Sequence, residues 1–182
     1  MSESFGSLGA GLVLEDRFAI HWREQPIPVH DPVQQQTNDE TLRVILSLDE
    51  HHGPVGEDNA ELSQELVRIE SRLNLVLDLV SQVLIRQLAL PPARAVRLGS
   101  REIEWEEHLP LPPGSEGSIE IYLCTRYPRP LLLPARFVES PSPGVARAVF
   151  GPLGESVQEL LEQMIFRHHR RRIAATRRSS NT

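Results

Sequence analysis

Lysine is absent from this chain of 182 residues: all 19 of its basic side chains are arginine. Codon bias in a GC-rich genome explains that better than chemistry does. It nonetheless places a bidentate guanidinium fork at every basic position. Cysteine is nearly absent too. The single Cys124 excludes a disulfide framework and a cysteine-rich zinc site. It falls in an alternating pattern and is expected to be a buried structural thiol. Aromatic residues are scarce, at 5%. Trp22 and Trp105 alternate with polar neighbours, as core residues of a small barrel would. The longest apolar run, Leu73 to Ile85, is broken by Asn74, Asp78, Ser81 and Gln82 and cannot span a bilayer. Met1 is followed by neither a basic n-region nor an apolar h-region, so the expected location is cytoplasmic. No Gly-rich phosphate loop, nucleophile elbow or His-Glu-x-x-His motif occurs. An enzyme is therefore not expected, and no cofactor is implied. Asp49-Glu50-His51-His52 supplies metal-ligating side chains, but neighbours on a helix diverge and no further ligand is at hand, so no metal site is expected.

What the chain does have is a heptad ladder. Leu62, Leu66, Ile69, Leu73, Val76, Val80, Val83, Gln87 and Leu90 follow one another at spacings of four and three. A mean period of 3.5 residues winds helices into a left-handed coiled coil. The ladder covers about 43 Å at 1.5 Å per residue, longer than a domain of this size needs for its own core. It therefore points to another copy of the chain. With Leu66, Leu73, Val80 and Gln87 at a, the d positions are Leu62, Ile69, Val76, Val83 and Leu90. β-Branched residues at d favour trimers or tetramers over parallel dimers. Leu77 and Leu84 at e widen the apolar face, and Gln87 puts one polar group in the seam as a register device.

Around the ladder the texture is that of strands. Residues 1–12 are small and Gly/Ser-rich, an expected mobile N-terminus. Arg17 to Arg23 alternates as a strand. Pro26, Pro28, Pro32 and the run Gln34-Gln35-Gln36 read as a linker, and Thr37 to His52 as a short helix or a strand, capped by Asn38 or Asp39 if helical. The long helix is expected over 58–90, with Asp58 and Glu61 in a capping-box pattern and Pro91-Pro92 as its stop. Ala95 to Leu98, Arg101 to Glu107, Ser118 to Thr125, Leu131 to Glu139 and Val145 to Phe150 read as strands of a small antiparallel barrel. A helix from near Gly154 closes the chain, with Val157, Leu160, Leu161, Met164, Ile165 and His168 on one face. Its arginine-rich end has no aromatic platform beside it, so nucleic-acid binding is disfavoured.

This order of elements resembles the PilZ domain with a helical insertion. The resemblance rests on Val96-Arg97-Leu98-Gly99-Ser100-Arg101-Glu102-Ile103, on Pro113-Gly114-Ser115-Glu116-Gly117 before a strand, and on Leu131-Leu132-Leu133-Pro134-Ala135-Arg136-Phe137-Val138. The segment Arg68 to Leu79 is similar to the heptad helix of the atypical, tetrameric PilZ type. The resemblance implies an α+β fold: a small antiparallel β-barrel with a long inserted heptad-repeat helix and a C-terminal helix. One domain over 13–176 is expected, with the insertion over about 37–92 and a basic tail at 177–182.

It also implies a place in bacterial cyclic di-GMP signalling. PilZ domains that bind the dinucleotide carry an Arg-x-x-x-Arg arm and an Asp/Asn-x-Ser-x-x-Gly turn. Guanidinium forks grip phosphates, and the turn lets the backbone approach. This chain departs at both places. Arg17 and Arg23 are six apart, about 20 Å along a strand. At the turn, Arg97, Gly99 and Glu102 stand where the acid or amide, the serine and the glycine should be. A glutamate there repels phosphate. The expectation is a homotetrameric scaffold that meets a signalling partner and does not itself bind the nucleotide. The alternative is a cyclic di-GMP receptor using Arg17, Arg97 and Arg101.

Overall fold

The computed structural model describes residues 11–25, 31–48, 60–107, 112–140 and 142–179. Residues 1–10 of the expected mobile N-terminus, Pro26 and Pro28, the Asp49-Glu50-His51-His52 group and the Asp58 cap lie outside these.

Six strands close into a barrel. They are β1 (Leu14–Arg23), β2 (Ala93–Leu98), β3 (Glu102–Glu106), β4 (Glu116–Tyr122), β5 (Leu131–Val138) and β6 (Val145–Phe150). Their spatial order is β1-β2-β3-β6-β5-β4, with every pairing antiparallel. The long β1 makes the closure. Its first half pairs with β2, Leu14 opposite Leu98, and its second half with β4, Trp22 opposite Ile119. Closure gives every described strand two neighbours. Alternation sends Ile20, Trp22, Val96, Leu98, Ile103, Trp105, Ile119, Ile121, Leu131, Leu133 and Phe137 inward, all buried. Phe137 holds the aromatic centre, 4.3 Å from the Trp22 ring and 5.4 Å from Trp105. Gly117 lies where a Cβ would come within 2.3 Å of the Arg23 carbonyl oxygen and 2.5 Å of the Trp22 ring.

Between β1 and β2 the chain forms α1 (Pro32–Leu48) and α2 (Ala60–Gln87); α3 (Glu155–Ser179) ends it. The glutamine run is helical, not a linker. Asp31 caps α1: its Oδ1 accepts from the amides of Val33 at 3.0 Å and Gln34 at 3.2 Å. Pro32 takes the first helical position, where a missing N–H costs nothing. Asn38 and Asp39 are thus interior to the helix, not caps. Leu42, Ile45 and Leu46 of α1 pack with Val157, Leu161, Met164 and Ile165 of α3 into the same core cluster as the barrel.

Two boundaries move. The helix α2 ends at Gln87, and Leu90, as the residue before Pro91, is driven out of the helical region. Leu90, expected as the last seam position, therefore lies beyond it. Cys124 lies past the end of β4, half-buried against the core, in a bend where its carbonyl accepts from the Tyr127 amide at 3.3 Å. It is not the buried strand thiol that the alternation suggested.

Candidate functional site

Helix α2 is 28 residues long, about 42 Å at 1.5 Å per residue. None of the described side chains of α2 belongs to the core cluster. Leu66, Ile69, Leu73, Val76, Val80 and Val83 are between 48% and 64% exposed. Leu75, Leu79 and Leu84 are exposed beside them. Leu77, expected to widen the face, is half-buried. Nothing is described of the Leu62 side chain, though its backbone is helical. Gln87 is exposed on the last turn.

The opposite face of α2 explains how the helix is held. Asn74, Asp78, Ser81 and Ile85 recur at helical spacing and are half-buried or buried. The Arg126 guanidinium, in the loop after β4, donates to Asp78 Oδ1 at 2.7 Å and to Asn74 Oδ1 at 2.8 Å. The Ser81 hydroxyl donates to the Arg126 carbonyl oxygen at 2.5 Å. A polar stripe thus ties α2 to its own barrel while the apolar seam turns away. The described anchors all lie in the C-terminal part of the helix. Every residue from Gln64 to Leu73 is exposed. Arg126 gave no periodic signal in the sequence; only Asn74, Asp78 and Ser81, the residues that break the apolar run, hinted at a docking stripe.

The arginines of the alternative reading are mostly committed to carboxylates. Arg97 donates through Nε to Glu15 at 3.1 Å and through Nη1 to Glu104 at 2.9 Å. Arg17 donates to the Ala93 carbonyl oxygen at 2.8 Å, with Glu106 at 3.6 Å. Arg23 pairs with Glu120 at 2.6 Å. Arg101 is exposed and has no ion pair among the described residues. Glu102 does not stand as a bare charge beside the turn: Arg147 reaches it at 2.6 Å. Register places Arg97, Glu104 and Arg147 side by side across β2, β3 and β6. Glu104 is fully buried in that row, and its Oε1 has no hydrogen-bond partner. Burial pushes its carboxyl above the usual range, against the pull of Arg97. Glu15 is held below the usual range, first by its hydrogen bond from Arg172 of α3.

The arginine-rich end of α3 is partly docked. Arg167 donates to the Leu46 carbonyl oxygen at 3.1 Å, satisfying one of the open acceptors in the last turn of α1. Among the described residues there is no cluster of side chains suited to a metal ion. Among the same residues no helix is long and apolar enough to cross a membrane.

A closed six-stranded barrel interrupted after its first strand by a long helix defines the class of protein, and the comparisons agree. The family model for the atypical PilZ domain, described as a cyclic di-GMP receptor, matches residues 41–178. The chain belongs to this family. No curated protein matches it. Among solved structures it is similar to a pathogenic protein from Xanthomonas campestris, with 27% identity over 92% of this chain and 93% of that one, at a TM-score of 0.74. That crystal structure is described as a new tetrameric PilZ domain self-assembled via an unusual helical bundle.

Proposed function

We propose that this chain is a non-enzymatic, cytoplasmic scaffold of cyclic di-GMP signalling. It assembles into a homotetramer through α2 and presents its barrels to a signalling protein without gripping the nucleotide itself. The observation that carries the assembly is the split of α2 into two faces. Its polar stripe holds its own barrel, and its apolar seam is exposed. Full burial of a Val or Leu is worth about 1.5–3 kcal/mol. Half-exposed seam residues from Leu66 to Val83 would then recover about 1 kcal/mol each on assembly. The tetrameric relative supports the same reading.

Silence toward the nucleotide follows from the ion pairs. Turning Arg97 toward a phosphate would strip Glu104 of its hydrogen-bonded partner and leave the buried carboxyl with only Arg147, 3.9 Å away, at a cost of several kcal/mol. Arg17 and Arg23 are each engaged on the barrel wall. Two observations favour the receptor reading: Arg101 is exposed and has no ion pair among the described residues, and the family is described as a receptor. Calorimetric titration with cyclic di-GMP separates the two. We expect no binding tighter than about 100 μM, or about 5.5 kcal/mol. Micromolar affinity at ordinary salt would overturn the scaffold reading. Substituting Arg17, Arg97 and Arg101 singly would then identify the fork that binds.

A further inference from the structure

We propose that the outward face of α3 docks an acidic, amphipathic helix of another protein, held through the stripe Phe166, Arg170 and Ile173. Such a surface rests on the scaffold reading only in taking a protein as its partner.

The charge of the chain is split along its length. Six arginines follow Glu162 and no acid does, whereas all 25 acidic side chains precede them, against the other 13 of the 19 arginines. A basic end on an acidic body draws acidic partners to one place. The inward side of α3 spends part of that charge on holding the helix. Arg167 donates to the Leu46 carbonyl oxygen at 3.1 Å, Arg172 donates to Glu15, and His168 Nε2 lies 3.8 Å from Asp16 Oδ2. Val157, Leu161, Met164 and Ile165 are buried on the same side. The helix is thus fixed before any partner arrives, and little ordering is left to oppose binding.

The outward side carries what docking needs. Phe166 and Ile173 are large and apolar, yet 49% and 41% exposed. They stand seven residues apart, two turns of helix, about 10 Å along the axis at 1.5 Å per residue. Arg170 lies between them on the same stripe, exposed, with its guanidinium carbon 5.8 Å from the centre of the Phe166 ring. The ring steadies the cation, and a stacked guanidinium keeps its edge donors for a carboxylate. The backbone stays helical to Ser179, past Arg177 and Arg178.

Arg170 also decides the class of partner. A helix that lies in a membrane interface keeps a continuous apolar face. Here a charge interrupts that face, and the opposite side is buried in the chain's own core. Single-stranded nucleic acid stacks its bases on open aromatic rings, and Arg170 already lies over Phe166. Two apolar anchors one heptad apart, with a cation between them, match a helix with apolar residues at i and i+7 and carboxylates beside them. Aromatic and arginine anchors are also the side chains on which binding energy concentrates.

Labelled probes titrated with the full chain test the surface. The first is a glutamate-rich helical peptide with two leucines one heptad apart. The others are a peptide of the same composition with the leucines on opposite faces, polyglutamate, single-stranded RNA and phosphatidylglycerol vesicles. The first peptide should bind about tenfold more tightly than any other probe. Phe166→Ala, Ile173→Ala and Arg170→Glu should each weaken it about tenfold, and Phe166→Leu should keep most of the affinity. All three positions are exposed, so the melting temperatures should match that of the parent. Equal binding of every acidic peptide would reduce the effect to charge and overturn the anchors. RNA or vesicles bound as tightly as the first peptide would overturn the class of partner. No saturable binding of that peptide, or an affinity that the substitutions leave unchanged, would overturn the site. Altered sedimentation of Arg170→Glu alone would assign the stripe to a second copy of the chain instead. None of these titrations contains cyclic di-GMP, so a failure here leaves the scaffold reading to its own test.

Discussion

At the scale of single residues, the most informative group is Glu104. It lies between Ile103 and Trp105 on β3. Arg97 and Arg147 flank it across the sheet, and it is fully buried. Desolvation outweighs the pull of Arg97, so its carboxyl titrates above the usual range. The consequence for stability has a definite sign. A group with a raised folded pKa holds its proton more tightly folded than unfolded. Its favourable contribution is complete below the unfolded pKa and is lost as pH rises through the folded value. Glu104→Gln keeps the shape and removes the charge. The variant should melt higher than the parent at neutral pH, and the difference should shrink toward zero in acid. Thermal melts across pH 3–8 check this. A variant that melts lower at neutral pH would mean that Arg97 contributes more to the buried carboxylate than burial costs.

At the scale of elements, the joints rest on polar residues more than on the apolar pattern. Asn38 is buried on α1. Its Nδ2 donates to the Leu132 carbonyl oxygen at 2.8 Å, and its Oδ1 accepts from the Leu132 amide at 3.1 Å. Leu132 precedes the stretch of β5 that pairs with β6, so the side chain stands in for a missing strand neighbour. Asn38→Ala leaves both backbone groups unpaired, each worth about 1–3 kcal/mol when buried. We expect a loss of about 2–4 kcal/mol in urea unfolding, with assembly at native conditions unchanged. A loss under about 0.5 kcal/mol, the size of an ordinary surface change, would show that water replaces the amide. This joint also marks the limit of what the sequence discloses. The strands and the closing helix were legible because burial imposes a period of 2.0 or 3.6 on the chain. Asn38 resembled a helix cap because asparagine is a capping residue wherever a helix starts, and only the distant Leu132 gives it another role. The same holds for Glu104 and Arg126, whose partners come from other elements. Helix α1 was misplaced at its start because three glutamines carry no apolar phase, although Asp31-Pro32 was the proper start signal.

At the scale of the molecule, the barrel and helix α2 are separable. The core cluster joins β1 to β6 with α1 and α3 and includes none of the described side chains of α2. The barrel should therefore fold whether or not the seam is covered. Replacing Leu73 and Val80 with Asp would place unpaired charges at the centre of any bundle, a change that costs several kcal/mol per contact when the charges cannot reach water. In a monomer the same aspartates lie on an exposed helix face and cost little. The double variant should therefore sediment as a monomer and keep the near-ultraviolet circular dichroism that Trp22 and Trp105 acquire from packing on Phe137. Its melting temperature should no longer depend on protein concentration, as that of the parent should if assembly stabilises the fold by mass action. If the variant loses its tertiary signal together with its partners, the barrel is not self-sufficient. The polar stripe of Asn74, Asp78 and Ser81 would then hold α2 in place only when its other face is covered.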